Sequence, residues 1–375
     1  MSPPITGVAT SITAFIGSAL HGPTDAPGSV NSFIDFERLY GGLWAQSTLG
    51  YAVQQFFLNG GSQALIVRVE GDGIGGITDA DIIASLPMLD QADLFNLLCI
   101  PPLKRSGGDV GKQTWDAAIA YSRSRRAFVI VDPAERWATA KDVLDVGTGI
   151  ASVVTPEDNA AIYFPRILVS DPLNNGQPDS FAPGGMIAGI FAQTDMTTGV
   201  WKAPAGINAV MQGVQGFSLG GSGVLTDADS KKLNPAGINS LRNFPTYGTV
   251  VWGARTLKGT DALASDWKYI PVRRLACYIE ESVLRGIRWS IFEPNAEPLW
   301  ARIRHDVGAF MRTLFMQGAF QGTTPAQAYF VNCDSTTTTQ TDIDNGVMNI
   351  LIGIAPVKPA EFVIIRIQQI FPPAT

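Results

Sequence analysis

The sequence predicts an α/β fold, α+β over the whole chain: a central, mostly parallel βαβ region and then a C-terminal α+β region with a terminal strand. Three observations predict it. From Phe95 to Ser170, short apolar runs rich in β-branched residues alternate with amphipathic stretches, the pattern of βαβ units. From Pro271 onward the pattern changes to two long helical periods. The last stretch, Glu361 to Ile370, is a nearly uncharged strand stopped by Phe371-Pro-Pro, because proline cannot extend a ladder.

In chain order, Ile5 to Gly17 reads as a strand, with Val8, Thr10, Ile12, Thr13 and Ile16 supplying β-branched side chains. Gly22-Pro23 and Pro27-Gly28 are turn chemistry. Phe33 to Tyr40 is a short helix closed by Gly41-Gly42. Leu49, Val53, Phe56 and Phe57 fall at helical spacing before Asn59-Gly60-Gly61, and Ala64 to Val69 is a strand. Strands then follow at Phe95–Ile100, Ala127–Val131 and Ala160–Ser170, with helices at Trp115–Arg126 and Ala134–Val146. Asp132-Pro133-x-Glu135 has the order of an N-cap, a first-turn proline and a capping-box acid. Asp171 to Gly185 reads as a surface loop, and Gly213 to Gly223, with five glycines in eleven residues, as a flexible segment. A strand at Thr249–Trp252 precedes the loop Leu257–Ser265. Pro271–Gly286 and Trp300–Phe315 are helices, the second carrying the stripe Trp300, Ile303, Val307, Phe310 and Leu314.

Composition narrows the function. Of 375 residues 46% are hydrophobic and 16% charged, against roughly 25% charged in a typical soluble domain. So little charge implies either a large core or wide subunit contact. The net charge of -6 argues against a broad nucleic-acid surface. No apolar run reaches the length of a membrane span, and no basic segment leads into an apolar one at the start. Cys99, Cys277 and Cys333 form no close pair, and His21 and His305 each stand alone. No metal site, cofactor site or histidine-based catalytic dyad is expected from this inventory.

Gly71-Asp-Gly73-Ile-Gly-Gly76 follows a strand and matches a dinucleotide-binding pattern. However, Asp72, Asp79 and Asp81 place negative charge where phosphates would sit, so a loop is the better reading. Asp132 and Asp171 end strands, which suits either a magnesium-dependent site or a turn and cap. Arg123, Arg125 and Arg126 cluster at a helix end and complement its dipole or an acidic neighbour. Arg273, Arg274, Glu280, Glu281 and Arg285 are spaced for pairs along one helix, or for pairs across subunits in a polymer. In the terminal strand, Val363, Ile365 and Ile367 point one way and Phe362 and Ile364 the other, with Glu361, Arg366 and Gln368 as its polar members. A strand apolar on both faces needs neighbours, so Glu361–Ile370 is read as an assembly arm.

Several segments together resemble the contractile tail sheath family of phage tails, R-type bacteriocins and extracellular contractile injection systems. They begin with Gly7-Val-Ala-Thr-Ser-x-Thr-Ala-Phe-Ile-Gly17, Phe33-x-Asp-Phe-Glu and Tyr51-Ala-Val-x-x-Phe-Phe-x-Asn-Gly-Gly61. Gly199-Val-Trp-Lys-Ala-Pro-Ala205, Leu233-Asn-Pro-x-Gly-Ile-Asn239 and Val251-Trp-Gly-Ala-Arg-Thr256 continue the match. The C-terminal third is the most similar, with Val272-Arg-Arg-Leu275, Ile279-Glu-Glu-Ser282 and Phe292-Glu-Pro-Asn295. Gly353-Ile-Ala-Pro-Val-Lys-Pro-Ala-Glu-Phe-Val363 is the most specific segment. Family members commonly open with a further strand, whereas this chain begins Met1-Ser-Pro-Pro, so the expectation is either that subunit pairing rests on the C-terminal strand and on Ile5 to Gly17 or that the chain is shortened.

The resemblance implies a non-enzymatic structural subunit that stacks as hexameric rings around an inner tube protein and contracts. Its partners would be further copies of itself, the tube, a baseplate and a terminator or cap, with no nucleic acid and no direct membrane insertion. Assembly in a bacterial cytoplasm into a phage tail or tail-like particle is implied too. The expected division is 1–22 packing with the C-terminal domain, 23–265 as an outer α/β domain, and 266–375 as the tube-facing domain. Pro356 and Pro359 would form a stiff hinge before the arm. The alternatives are a cytoplasmic α/β hydrolase-like enzyme using the strand-end aspartates, and a static tube or shell protein.

Overall fold

The computed structural model describes residues 3–71, 76–221 and 223–361. β1 (Thr13–Gly17) and β2 (Gly28–Val30) come first, then α1 (Phe33–Tyr40). Ser32 caps α1 by accepting the Asp35 N–H, and Gly41 closes it at φ 92°, a left-handed conformation that suits glycine. α2 (Leu49–Leu58), β3 (Ala64–Arg68) and α3 (Asp79–Ser85) follow. The acids Asp79 and Asp81 stand in the first turn of α3, where Asp81 closes a capping box with Thr78. β4 (Leu97–Cys99), α4 (Lys112–Ser124), β5 (Phe128–Val131), α5 (Ala140–Leu144) and β6 (Ala160–Phe164) continue the alternation. Next come β7 (Ile167–Asp171), β8 (Gln177–Phe181), α6 (Gly184–Thr197), β9 (Val214–Phe217), α7 (Asp227–Leu233), β10 (Ile238–Phe244) and β11 (Gly248–Trp252). The C-terminal part holds α8 (Ile270–Gly286), α9 (Glu297–Met316), α10 (Pro325–Ala328), β12 (Tyr329–Asn332), α11 (Gln340–Asp344) and β13 (Leu351–Ile354).

Eight strands form the central sheet in the order β11-β10-β6-β5-β4-β1-β3-β2. The run from β10 to β3 is parallel, and only the edge strands β11 and β2 are antiparallel. Both faces are covered, as a parallel sheet requires. Phe15, Ile66, Phe128 and Tyr163 pack into the layer with α1, α2 and α6. Ile16, Val67, Val129 and Ile162, one step along each strand, pack with α3, α4, α5 and α7. A third core lies between α8 and α9, where the whole stripe Trp300, Ile303, Val307, Phe310 and Leu314 is buried. Cys99, Cys277 and Cys333 are buried free thiols.

The α/β body and its C-terminal α+β unit are as expected, while five local expectations change. The N-terminal strand starts at Thr13; before it, Val8 donates its N–H to the Ser282 hydroxyl on α8, 3.1 Å away. Gly7 lies so close to the Tyr278 ring that a Cβ would overlap the Tyr278 hydroxyl. β-branched composition favours extended backbone and says nothing about whether a strand or a helix lies beside it. The single strand expected over Ala160–Ser170 is two, β6 and β7 in different sheets, divided where Pro165 lacks a ladder N–H. The helix expected over Ala134–Val146 shrinks to Ala140–Leu144, opened by a Thr139–Asp142 capping box. Asp132 caps a different helix, accepting the Gly184 N–H at the start of α6 at 2.8 Å. The loops expected at Asp171–Gly185 and Gly213–Gly223 contain β8 and β9, both paired with β7. Tertiary pairing overrides their polar, glycine-rich composition.

Candidate assembly site

β12 and β13 form an antiparallel pair, and among the described residues their sheet has no third strand. Two strands alone are marginal in water. Tyr329, Val331, Ile352 and Ile354 pack against the α8–α9 core. Phe330 and Leu351 are about half exposed, at 50% and 53%. Phe330 lies over Gly353 so closely that a Cβ there would overlap the ring. The outer edges of this pair present ladder groups that another strand is able to complete.

Beyond β13 the chain is pinned twice. First, the Ala355 N–H donates to the Ala328 carbonyl (2.8 Å), and the Gln321 N–H donates to the Ala355 carbonyl (2.7 Å). The Val357 N–H donates to the Ala319 carbonyl (3.3 Å), and the Gln321 amide reaches the Pro356 carbonyl (2.8 Å). Pro356 is therefore held in a bridge with Phe320, and Pro359 stands between this pin and the next. The second pin is Glu361. Its two carboxylate oxygens accept from Nε and Nη2 of Arg255, each at 2.7 Å, the forked geometry that suits arginine. Arg255 is 1% exposed, and its Nη1 also donates to the Gly259 carbonyl and to Asp261. Burial alone works against the guanidinium charge; Glu361 outweighs it and holds the group above its ordinary pKa. Tyr269 adds a hydroxyl to the same carboxylate at 3.2 Å. Of the expected arm, Phe362, Val363, Ile364, Ile365, Arg366, Ile367 and Gln368 lie outside the described residues, as does Asp72 to Gly75 of the glycine-rich motif.

The charged residues singled out on α8 are engaged within their own chain. Arg273 meets Asp158 (3.3 Å) and Glu280 (3.8 Å), and Arg285 meets Asp93 (2.7 Å) and Glu281 (2.6 Å). Arg126 joins Glu280 (3.4 Å) and Glu281 (3.3 Å), which ties the end of α4 to α8. Arg123 pairs with Glu157 and Arg125 with Asp90. Arg274 is the most enclosed: it grips both oxygens of Asp195 on α6, at 2.9 and 2.6 Å, and donates to the Thr10 carbonyl at 2.8 Å. Sequence reading missed the Arg274–Asp195 and Arg255–Glu361 pairs, whose members stand 79 and 106 residues apart. No local spacing signals such a pair.

The strand-end aspartates are occupied by structural bonds. Asp171 accepts the Tyr51 hydroxyl (2.8 Å) and Arg105 (2.9 Å) and caps the Leu173 N–H. Burial, reinforced by that hydrogen bond, pushes the Tyr51 phenol up to about 12. Asp132 is buried behind its bond to Gly184, and burial pushes its carboxyl up to about 7. Among the described residues no acid, histidine and cysteine group is arranged to hold a metal ion, and no helix is long and apolar enough to cross a membrane.

The connection between α8 and α9 carries an unusual side chain. Phe292 is fully exposed, with Ile291 beside it at 61%, and its backbone is left-handed at φ 73°. Asn295 steadies the loop, donating to the Val347 carbonyl and accepting from the Trp300 indole, both at 2.8 Å. Left-handed backbone costs a bulky residue roughly 1–2 kcal/mol, whereas asparagine visits it readily. Phe292→Asn is expected to stabilise the free subunit by about 1 kcal/mol, read as a higher urea midpoint. An unchanged or lower midpoint would show that the ring is supported where it stands.

Residues 75–257 match the family model for the phage tail sheath protein central domain, and residues 264–370 match that for the phage tail sheath C-terminal domain. The tail sheath protein of Vibrio phage KVP40 is 27% identical over 180 residues, which is 48% of this chain and 25% of that protein. The chain thus spans well under half the length of this curated relative. Solved structures match it from end to end. The helical sheath of the anti-feeding prophage in its contracted state has a TM-score of 0.78 at 28% identity, covering 98% of this chain and 96% of that one. A chain from the sixfold-symmetrised anti-feeding prophage baseplate has a TM-score of 0.76 at 28% identity, covering 99% and 97%.

Proposed function

Because the chain belongs to the phage tail sheath family, we propose that it is the sheath subunit of a contractile, tail-like particle. Copies stack as hexameric rings around an inner tube and shorten to drive that tube through a target envelope. The observation that carries this reading is the end-to-end likeness to a contracted helical sheath. The baseplate chain, from a sixfold particle, supports hexameric rings and a baseplate contact.

The physical account needs no catalysis. Residues 361–370 leave the body at Glu361 and add a strand to the β12–β13 pair of a neighbouring copy. There, backbone hydrogen bonds supply affinity and alternate apolar side chains supply register. The 266–375 region, with the first residues laid along α8, faces the inner tube, and the 23–265 body lies further out. Contraction releases free energy stored in the lattice, as subunits exchange a smaller set of mutual contacts for a larger one. The inner tube and a cap complete the set of partners, and assembly takes place in the bacterial cytoplasm.

The test is negative-stain electron microscopy of the full chain beside a chain ending at Glu361. Hollow, helically ordered tubes are expected from the first and none from the second. Two lattices from the full chain would separate a contractile sheath from a static tube. Discrete particles from the full chain would overturn the sheath reading, and tubes from the shortened chain would overturn the arm.

A further inference from the structure

We propose that Arg255 and Glu361 form a tether that delivers force from the C-terminal arm into the α/β body of its own subunit, sparing the β12–β13 pair. This rests on the reading that the residues beyond Glu361 join a neighbouring copy.

The argument begins with where the two pins sit. Ala355 to Val357 bond to Ala319, Gln321 and Ala328, which belong to the C-terminal unit. Four residues later, Glu361 has crossed to Arg255, just beyond β11 in the body. A pull applied beyond residue 361 therefore meets the Arg255 fork first. Without the fork, the same pull reaches the bonds that hold Ala355 to Val357 against Ala319, Gln321 and Ala328, and then the β13 ladder. Loaded from its end, a two-stranded ladder loses its bonds one after another, whereas the two bonds of the fork share the load.

The seat of the fork is rigid. Asn239, fully buried on β10, clamps the Arg255 backbone from both sides, accepting its N–H at 2.7 Å and donating to its carbonyl at 2.8 Å. Arg255 is also bridged to Tyr269, immediately before α8, and the Ile270 N–H donates to the Ala254 carbonyl. The guanidinium thus stands where β10, β11 and α8 meet. Because Asp261 and the Gly259 carbonyl still engage Nη1 when Glu361 is changed, the guanidinium keeps partners and the body is expected to fold. Glu361 is therefore the cleaner residue to alter, and it acts as a positioning residue.

The test compares tubes of the wild-type chain with tubes of Glu361→Gln and Glu361→Ala, following subunit release in urea by light scattering. Glu361→Ala is expected to release subunits about tenfold faster, the loss of one charge-assisted contact, with Glu361→Gln in between. The free subunit is expected to lose less stability than that tenfold corresponds to, because Nη1 keeps Asp261 and the Gly259 carbonyl. Wild-type release rates would overturn the tether. So would an equal loss of stability in the free subunit, which would make the pair structural only. The chain ending at Glu361 keeps the tether and lacks the arm, so tubes formed from it would refute the arm reading separately.

Discussion

Arg274→Ala is expected to lower the stability of the subunit by about 3–5 kcal/mol, the cost of stripping one partner from a buried ion pair. The Arg274 side chain is 4% exposed and that of Asp195 is 3%. Removing the guanidinium leaves the Asp195 carboxylate without its two forked bonds, and the Thr10 carbonyl loses its donor as well. Three parts of the chain come apart at that point: the N-terminal stretch, α6 and α8. Replacing both charges, as Arg274→Met with Asp195→Leu, is expected to recover most of the loss, because no charge is then left alone in the core. Urea midpoints of the two single variants and the pair form the check. A single-variant loss under about 1 kcal/mol would mean that water reaches the site and that the pair behaves like one on the surface.

Asp132→Asn is expected to stabilise the subunit above neutral pH and leave assembly unchanged. Burial raises the Asp132 carboxyl from 3.8 to about 7, so its protonated form is the one the fold favours. That contribution is fully present below about pH 4 and is lost as the pH rises through 7. At pH 8.5 the native protein holds a buried carboxylate at an upper-bound cost on the order of 4 kcal/mol. The Asp109 charge adds to the cost, and the Gly184 N–H and Arg166 offset part of it. Asparagine keeps an acceptor for Gly184 and never ionises, so a gain of about 1–3 kcal/mol at pH 8.5 and little change at pH 5 are expected. Equal pH dependence in variant and wild type would place the titrating group elsewhere. A loss of tube formation would revive a functional part for this aspartate.

The parallel body was legible because buried strands are apolar runs, as in Phe128–Val131, and because helix periodicity is unambiguous over a length such as Trp300–Phe315. β10 was not legible, since Ile238–Phe244 buries Asn239, Ser240 and Arg242. Their partners, among them Asp227 and Ser230 for Arg242, are recruited from other elements. β8, Gln-Pro-Asp-Ser-Phe, has turn composition and is extended because β7 lies beside it. At the assembly site, the apolar pattern after residue 361 reads as a strand that needs neighbours, on residues outside those described. The place of Glu361 was not legible, because a glutamate opening an apolar strand looks like any strand boundary until a buried arginine 106 residues away is found opposite it.

The ion pairs along α8 carry a mechanical consequence. Arg126 with Glu280 and Glu281, Arg273 with Asp158, Arg285 with Asp93 and Arg274 with Asp195 brace α8 against the α/β body at several separated points. Bracing of this kind favours rotation of the subunit as one lever. In the sheath proposed above, the change of angle on shortening would then fall on the segments that join one copy to the next, and the step size would be set there.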